Sequence, residues 1–367
     1  MKKLLTVLLV SLMALSLAAC GSSSEDTAVD EGPVTVETLS IAFVPSKPAD
    51  AILEAAEPLK EMLKEKLAEK GFEVGSVEIS VGTDFAVVGE GMISGSIDVG
   101  FLNSSTYILY HDDGVNLLLE ALRTGVGDAN GRVIYPEEGL DPWNSGITTD
   151  AAELANGYAG LVYVNIATEK GADLYQKTLD GTLTWEDLDS ARWNSSSVTS
   201  GSGYLYPSLW LNSAFGEGAG NEKRTIASLS SVVTDVAYST MMENLLAGNC
   251  DVIVGYADIR KDAASTEVFE AAYADEIAAG TYSNVWDVVK IIGVSDFIMN
   301  DCIAVADEAN DPKMTPEFVN ALQEVFLEIG STEEGLACVK PYSHAGYQVG
   351  DDSDYNPTRA AAQLFKD

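Results

Sequence analysis

Histidine is nearly missing from this chain of 367 residues: His111 and His344 are the only two. That leaves little material for a histidine-based catalytic triad or metal centre, and no metal site is expected. Basic residues are also scarce, 21 Lys and Arg against 57 Asp and Glu, a formal charge of -36. So acidic a protein repels nucleic acid and anionic membrane surfaces, and neither is expected as a partner. It also repels small anions at long range, so any anion it binds must be held by local, desolvated donors. The four cysteines, Cys20, Cys250, Cys302 and Cys338, match no zinc spacing. With Cys20 set aside as explained below, at most one disulfide is possible, and Cys250 and Cys302 sit in apolar, strand-like runs. The one long apolar run, Leu4 to Leu17, is too short to span a bilayer.

That run follows Lys2-Lys3 and ends in Leu17-Ala18-Ala19-Cys20-Gly21, which resembles a bacterial lipoprotein signal. The resemblance implies a signal peptide over 1–19 and lipidation of Cys20. The protein is then anchored at the outer face of a bacterial plasma membrane or lies in the periplasm. Residues 20–36 are polar and acidic and read as a flexible tether. The length that remains suits a body with two lobes.

Residues 38–44 alternate as a strand, and Ala49 to Lys70 carries apolar residues at helical spacing up to Gly71. Strands at 77–81 and 97–101 and helices from Ala86 and after Asn103 continue the alternation, which predicts a parallel sheet. Ligands on such sheets bind beyond the carboxyl ends of the strands, here Pro45-Ser46, Thr83 to Phe85 and Asn103 to Thr106. Leu117 to Leu119 reads as strand, and 124–157, rich in Gly, Asp, Asn and Pro, as a loop or small insertion. A second α/β pattern follows: strands at 158–167, 225–229 and 250–256, and a helix over 236–246. Late strands at 288–294 and 302–305, a helix from Thr315-Pro316 to Ile329 and a last amphipathic segment over 357–365 complete the chain. The expected organisation is lobe 1 from 37–123 with 297–367, and lobe 2 from 158–296, with a cleft at a hinge.

The stretch Ser195 to Pro207 gathers six hydroxyl side chains and two glycines before the apolar Leu209-Trp210-Leu211. A helix start leaves its first N–H groups unpaired and carries about half a positive charge, so hydroxyls and glycines placed there can surround a phosphate-like group. No Gly-Lys-Ser/Thr follows, and no lysine lies between Lys177 and Lys223, so this is not a nucleotide-binding loop. A serine-rich surface turn with an ordinary cap is the plainer alternative.

Thr83 to Val88, Gly95 to Leu102, Ser200 to Pro207, Gly248 to Asp258, Val289 to Asp301 and Asp354 to Pro357 together resemble the substrate-binding lipoproteins of phosphonate, phosphite and phosphate ABC importers, the phosphonate-binding type in particular. The resemblance implies an α/β, bilobed type II periplasmic-binding-protein fold, with two α/β lobes joined by two crossover strands. It implies a monomer that closes on one phosphorus oxyanion and delivers it to an ABC permease, with no cofactor and no catalysis.

The family's Ser-Thr-Ser-Gly cradle falls on Ser200, Gly201, Ser202 and Gly203, so a glycine replaces the middle hydroxyl. The aromatic wall falls on Phe85, a tyrosine on Tyr158, the contacting histidine on Tyr238, and two carboxylates on Asp258 and Asp301. Plainer roles stand beside these: packing for Phe85 and Tyr238, a surface pair with Arg260 or Lys261 for Asp258, a turn cap for Asp301. Carboxylates beside an anion require something positive or protonated between them. A ligand amine is the preferred explanation and a P–OH proton the other. Alternatives to the phosphorus ligand are a sulfonate, a carboxylate or a vitamin precursor; an alternative of another class is a surface lipoprotein enzyme, against which stands the lack of any nucleophile–base pair suggested by spacing.

Overall fold

The computed structural model describes residues 32–45, 48–198, 200–216, 222–234 and 237–365. The expected signal peptide, Cys20 and the tether up to residue 31 lie outside them, as does Ser46. Strand β1 (Val34–Phe43) begins inside the stretch 20–36 assigned to the tether. It pairs in parallel with β2 (Phe72–Val81), Val34 opposite Phe72 and Phe43 opposite Val81, and on its other side with β3 (Val99–Leu102). The helical pattern between β1 and β2 is split into helices Ala49–Ala56 and Leu59–Glu69. Pro58 lacks the N–H that would continue the ladder. The second helix buries Leu59, Leu63 and Leu67, and Gly71, at a φ of 88° that disfavours other residues, turns the chain into β2.

Strands β4 (Val115–Gly127) and β5 (Thr149–Ala155) are antiparallel neighbours. The chain then builds a second sheet from β6 (Gly157–Asn165), β7 (Trp193–Ser195), β8 (Val232–Thr234), β9 (Val252–Tyr256) and β10 (Val289–Met299), and returns through β11 (Cys302–Ala306) and β12 (Gly346–Gln348). The first sheet has the order β12-β4-β11-β3-β1-β2 with β5 beside β4, and the second β10-β6-β9-β7-β8. As the strand-helix alternation predicts, β1, β2 and β3 are parallel. β11 lies between β3 and β4, antiparallel to both, so the end of the chain completes the middle of the first sheet. Of the two late strands expected at 288–294 and 302–305, only the second returns to the first sheet. β10 stays in the second sheet as the antiparallel partner of β6, and its Val289, Ile291 and Ile292 are buried in the second core.

Two further expectations are corrected. Of the loop or small insertion expected at 124–157, the loop is replaced by a folded insertion: β4 continues to Gly127, a 3-10 turn (Pro136–Glu138) and a short helix (Asp141–Asn144) follow, and β5 leads back. The glycines and prolines mark the turns of this excursion, while its apolar Ile134 and Trp143 are buried in the second core. Asn144 holds it there, donating Nδ2 to the carbonyl of Ile291 and accepting the Ile291 N–H, each at 2.9 Å, beside a bulge in β10. The strand expected at 225–229 is a 3-10 turn, Ile226–Ser228, because Ser228 Oγ accepts the N–H of Thr225 and closes the segment on itself; the strand is β8.

Each sheet has its own core. Phe43 and Phe101 stack at 4.2 Å in the first, under the helix Pro316–Ile329, which Thr315 caps as its sequence predicts. Trp193, Tyr163 and Met241 fill the second. Cys250, Cys302 and Cys338 are buried thiols. The sheets are linked at Asn156 and at Asn300-Asp301, and these links are tied together. Asn300 donates its N–H to the Asn156 carbonyl (2.8 Å) and its side-chain amide to the carbonyls of Ala121 and Ala155. The C-terminal helix Asn356–Leu364, expected with the first lobe, touches both. Thr358 and Tyr206 hydroxyls lie 2.7 Å apart on the second side, while Arg359 pairs with Asp352, which accepts from Tyr107 on the first.

Candidate functional site

A cavity of about 500 Å³ opens where the two sheets meet. The end of β4 supplies Arg123 to Val126, the start of β6 supplies Gly157 and Tyr158, the second link supplies Asn300, and segments of the second sheet's side supply Ser200 to Ser202, Tyr238, Tyr256 and Ala257. A smaller chamber of about 90 Å³ adjoins it, lined by Asn103 to Ser105 from the end of β3 and by Asp301; Arg123, Tyr158, Gly201 and Asn300 face both.

The serine-glycine stretch approaches this cavity because β7 delivers it there. Ser195 is buried at the end of β7, and the Ser196 N–H donates to the Gly203 carbonyl at 3.0 Å, folding the segment back on itself. Residues Gly201–Leu205 then form one π-helical turn leading into the helix Tyr206–Phe215. Ser200 caps the turn by accepting the Gly203 N–H, and the turn's first amides have no intrahelical acceptor. The glycines differ in what they permit. A Cβ on Gly203 would lie 2.4 Å from Cβ of Ser196 and 2.9 Å from the Tyr238 hydroxyl, whereas one on Gly201 would meet nothing nearer than 3.8 Å. Tyr238 binds the turn through its hydroxyl, 3.0 Å from Ser200 Oγ and 3.3 Å from Ser202 Oγ. Tyr158 stands opposite, and burial, with the neighbouring Tyr238 second, pushes its hydroxyl up to about 12, so it remains a proton donor at neutral pH.

Arg123 was missed in the sequence. It is the only charged residue lining the larger chamber among the described residues. Its Nη2 donates to Asp301 Oδ2 at 2.6 Å, and that oxygen also lies 3.3 Å from Nε2 of the buried His344. Nε of Arg123 is buried with no acceptor among the described residues. Two signals were available. Arg123 is the first Lys or Arg after Lys70, and it falls on a strand whose length was underestimated by ending it at Leu119.

The structure thus gathers five of the eight expected ligand residues, Tyr158, Ser200, Gly201, Ser202 and Tyr238, on the larger cavity and puts Asp301 on the smaller. Two fall elsewhere. Phe85 opens the helix Phe85–Ile93, capped by Asp84, and with 37 % of its surface exposed it is neither cavity wall nor core. Asp258 follows the cavity residue Ala257 but turns inward: its carboxylate accepts from Arg260 Nε and Nη2 (2.6 Å) and from Thr148 Oγ1 (2.8 Å). Arg260 is itself buried, donating to the carbonyls of Val289 and Trp143. Burial alone would raise the Asp258 carboxyl, yet Arg260 and Thr148 hold it below the usual carboxylate range. Asp258 does pair with Arg260, then, in the interior rather than on the surface. Both carboxylates have a protein counter-charge, so the site demands no amine on its ligand. Among the described residues no group of three or more His, Cys, Asp or Glu is placed to hold a metal ion, and no helix is long and apolar enough to cross a membrane.

Comparison with known proteins bears on this geometry. A family model described as the periplasmic substrate-binding protein of a phosphonate ABC transporter matches residues 41–355. The phosphate-import protein PhnD of Mycolicibacterium smegmatis is 29 % identical over 129 residues, 35 % of this chain and 37 % of that protein. The chain therefore aligns with little more than a third of this curated relative. Among solved structures, Mh-p37 of Mycoplasma hyorhinis, a putative thiamine pyrophosphate transporter, is similar at a TM-score of 0.59 with 11 % identity, covering 92 % of this chain and all of its own. The ATP-bound XAC2383 protein of Xanthomonas citri is similar at 0.54 with 14 % identity, over 90 % of this chain and 97 % of its own.

Proposed function

Because the chain belongs to the phosphonate-binding family of periplasmic ABC-transporter proteins, which have the bilobed type II fold, we propose that it binds a phosphonate or related phosphorus oxyanion in the cavity between its sheets and hands it to an ABC permease. In this reading it acts as a monomer held by lipid on Cys20 at the outer face of the plasma membrane, and it transports rather than transforms its ligand. One observation carries the proposal: Arg123, the cavity's single cation among the described residues, shares the wall with the Ser200–Ser202 turn. Charge-assisted hydrogen bonds from a guanidinium, hydroxyls and turn amides are what a tetrahedral oxyanion requires. They act locally, which a protein of charge -36 needs.

A thermal-shift screen of phosphite, phosphate, methylphosphonate, aminoethylphosphonate and sulfate tests it. A ligand at a hundredfold its Kd adds about 2.7 kcal/mol of stability. Phosphorus oxyanions are expected to stabilise the wild type, and Arg123→Met is expected to abolish the shift. Stabilisation by sulfate alone, or full retention of the shift in Arg123→Met, would refute the reading.

A further inference from the structure

The division of the cavity goes beyond the identity of the anion. The smaller chamber, about 90 Å³, has room for roughly three waters' worth of volume at about 30 Å³ each, the scale of a small oxyanion. The larger, about 500 Å³, is in the range of about 300–1,000 Å³ that holds a drug-sized molecule, far more than a methyl or aminoethyl tail fills. The two meet at Arg123, Tyr158, Gly201 and Asn300, so a group seated among the anion donors faces the larger space.

The chemistry of the larger chamber is also one-sided. Apart from Arg123, whose charge Asp301 already opposes at 2.6 Å, its walls carry no ionised side chain among the described residues. Tyr238 and Tyr256 stand edge to face there, ring centroids 5.0 Å apart at 85°. Their hydroxyls are engaged, Tyr238 with Ser200 and Ser202 and Tyr256 with Asp262, which leaves ring surface as what they offer a ligand. Ring surfaces next to backbone and small side chains suit a flat, uncharged group.

We propose that the chamber walled by Tyr238, Tyr256 and Val126 takes an uncharged substituent of ring size, so that the ligands of this protein are organic phosphonates or phosphate monoesters with an aromatic group rather than inorganic or methyl-substituted oxyanions. This rests on the reading of the cavity as an oxyanion site. Arg123 and Gly201, which face both chambers, hold the phosphoryl group at their junction with Ser200 and Ser202 on the larger chamber's side, and the substituent displaces the rest of that chamber's water. Thr124, exposed on β4 and on the chamber wall, is the place to block it.

Titration calorimetry of the wild type with methylphosphonate and phenylphosphonate, then of Thr124→Trp with both, tests the proposal. Phenylphosphonate is expected to bind the wild type at least tenfold more tightly than methylphosphonate, and Thr124→Trp to bring the ratio of the two affinities to within about twofold. Methylphosphonate binding as tightly as phenylphosphonate in the wild type would overturn the proposal and leave the oxyanion reading standing; this comparison needs no variant. An advantage that survives unchanged in a folded Thr124→Trp would place the ring elsewhere and overturn it too. If neither compound binds, the oxyanion reading fails and the inference falls with it.

Discussion

At the scale of the residue, the site turns on two glycines two positions apart. Gly203 is squeezed between Ser196 and Tyr238, and Gly201 faces open space. Gly203→Ala is therefore expected to displace the turn, lower the melting temperature and abolish binding. Gly201→Thr should fold like the wild type and add the hydroxyl that the family resemblance expects at this position. Equal melting temperatures for the two variants would contradict the packing described here. In the sequence both are simply glycines in a serine-rich run. The run stood out in the sequence as hydroxyls and glycines before an apolar helix, a pattern it shares with an ordinary capped surface turn; Arg123 did not, because its partner Asp301 lies 178 residues away and its place at the cleft depends on how far β4 extends. Asp258 was misread for the same reason. The interior that swallows it is built from Thr148, Trp143 and Val289, which no local pattern connects to it.

At the scale of the element, the excursion between β4 and β5 is fastened to the second sheet by a buried ion pair. Removing one partner of such a pair leaves an uncompensated charge and costs about 3–5 kcal/mol. Arg260→Met should be destabilised by that order, and its pH dependence should change sign. In the wild type the Asp258 carboxyl is held low, so its contribution is present above the ordinary carboxylate range and lost as pH falls through its depressed value. Without Arg260, burial should raise that carboxyl above its unfolded value. The variant's Asp258 contribution is then present at low pH and lost as pH rises. Denaturant melts of both proteins across the acid range check this; parallel profiles would contradict it. Periodicity found most strands and helices, and missed this excursion because a segment with many turns and few apolar residues resembles a loop until Trp143 and Ile134 find their core. The split helix is the converse case. The apolar spacing over 49–70 was right, and only Pro58, in plain sight, divides it.

At the scale of the whole molecule, the claim is that one anion is held by two sheets whose links run through Asn156 and Asn300, close to the groups that bind it. The alternation of strands and helices and the late return of the chain made two lobes legible. The C-terminal helix touching both was not, since its Thr358 and Arg359 differ in no way that assigns one to each side. Hydrogen exchange with and without a saturating phosphonate, followed peptide by peptide, tests the claim most directly. Ligand that bridges the sheets should slow exchange together in the end of β4 (123–127), the Ser200 turn (200–206) and both links (156–158 and 299–302), because a bound anion ties their openings into one event. Protection confined to one sheet, or appearing away from these segments, would contradict a site shared between them.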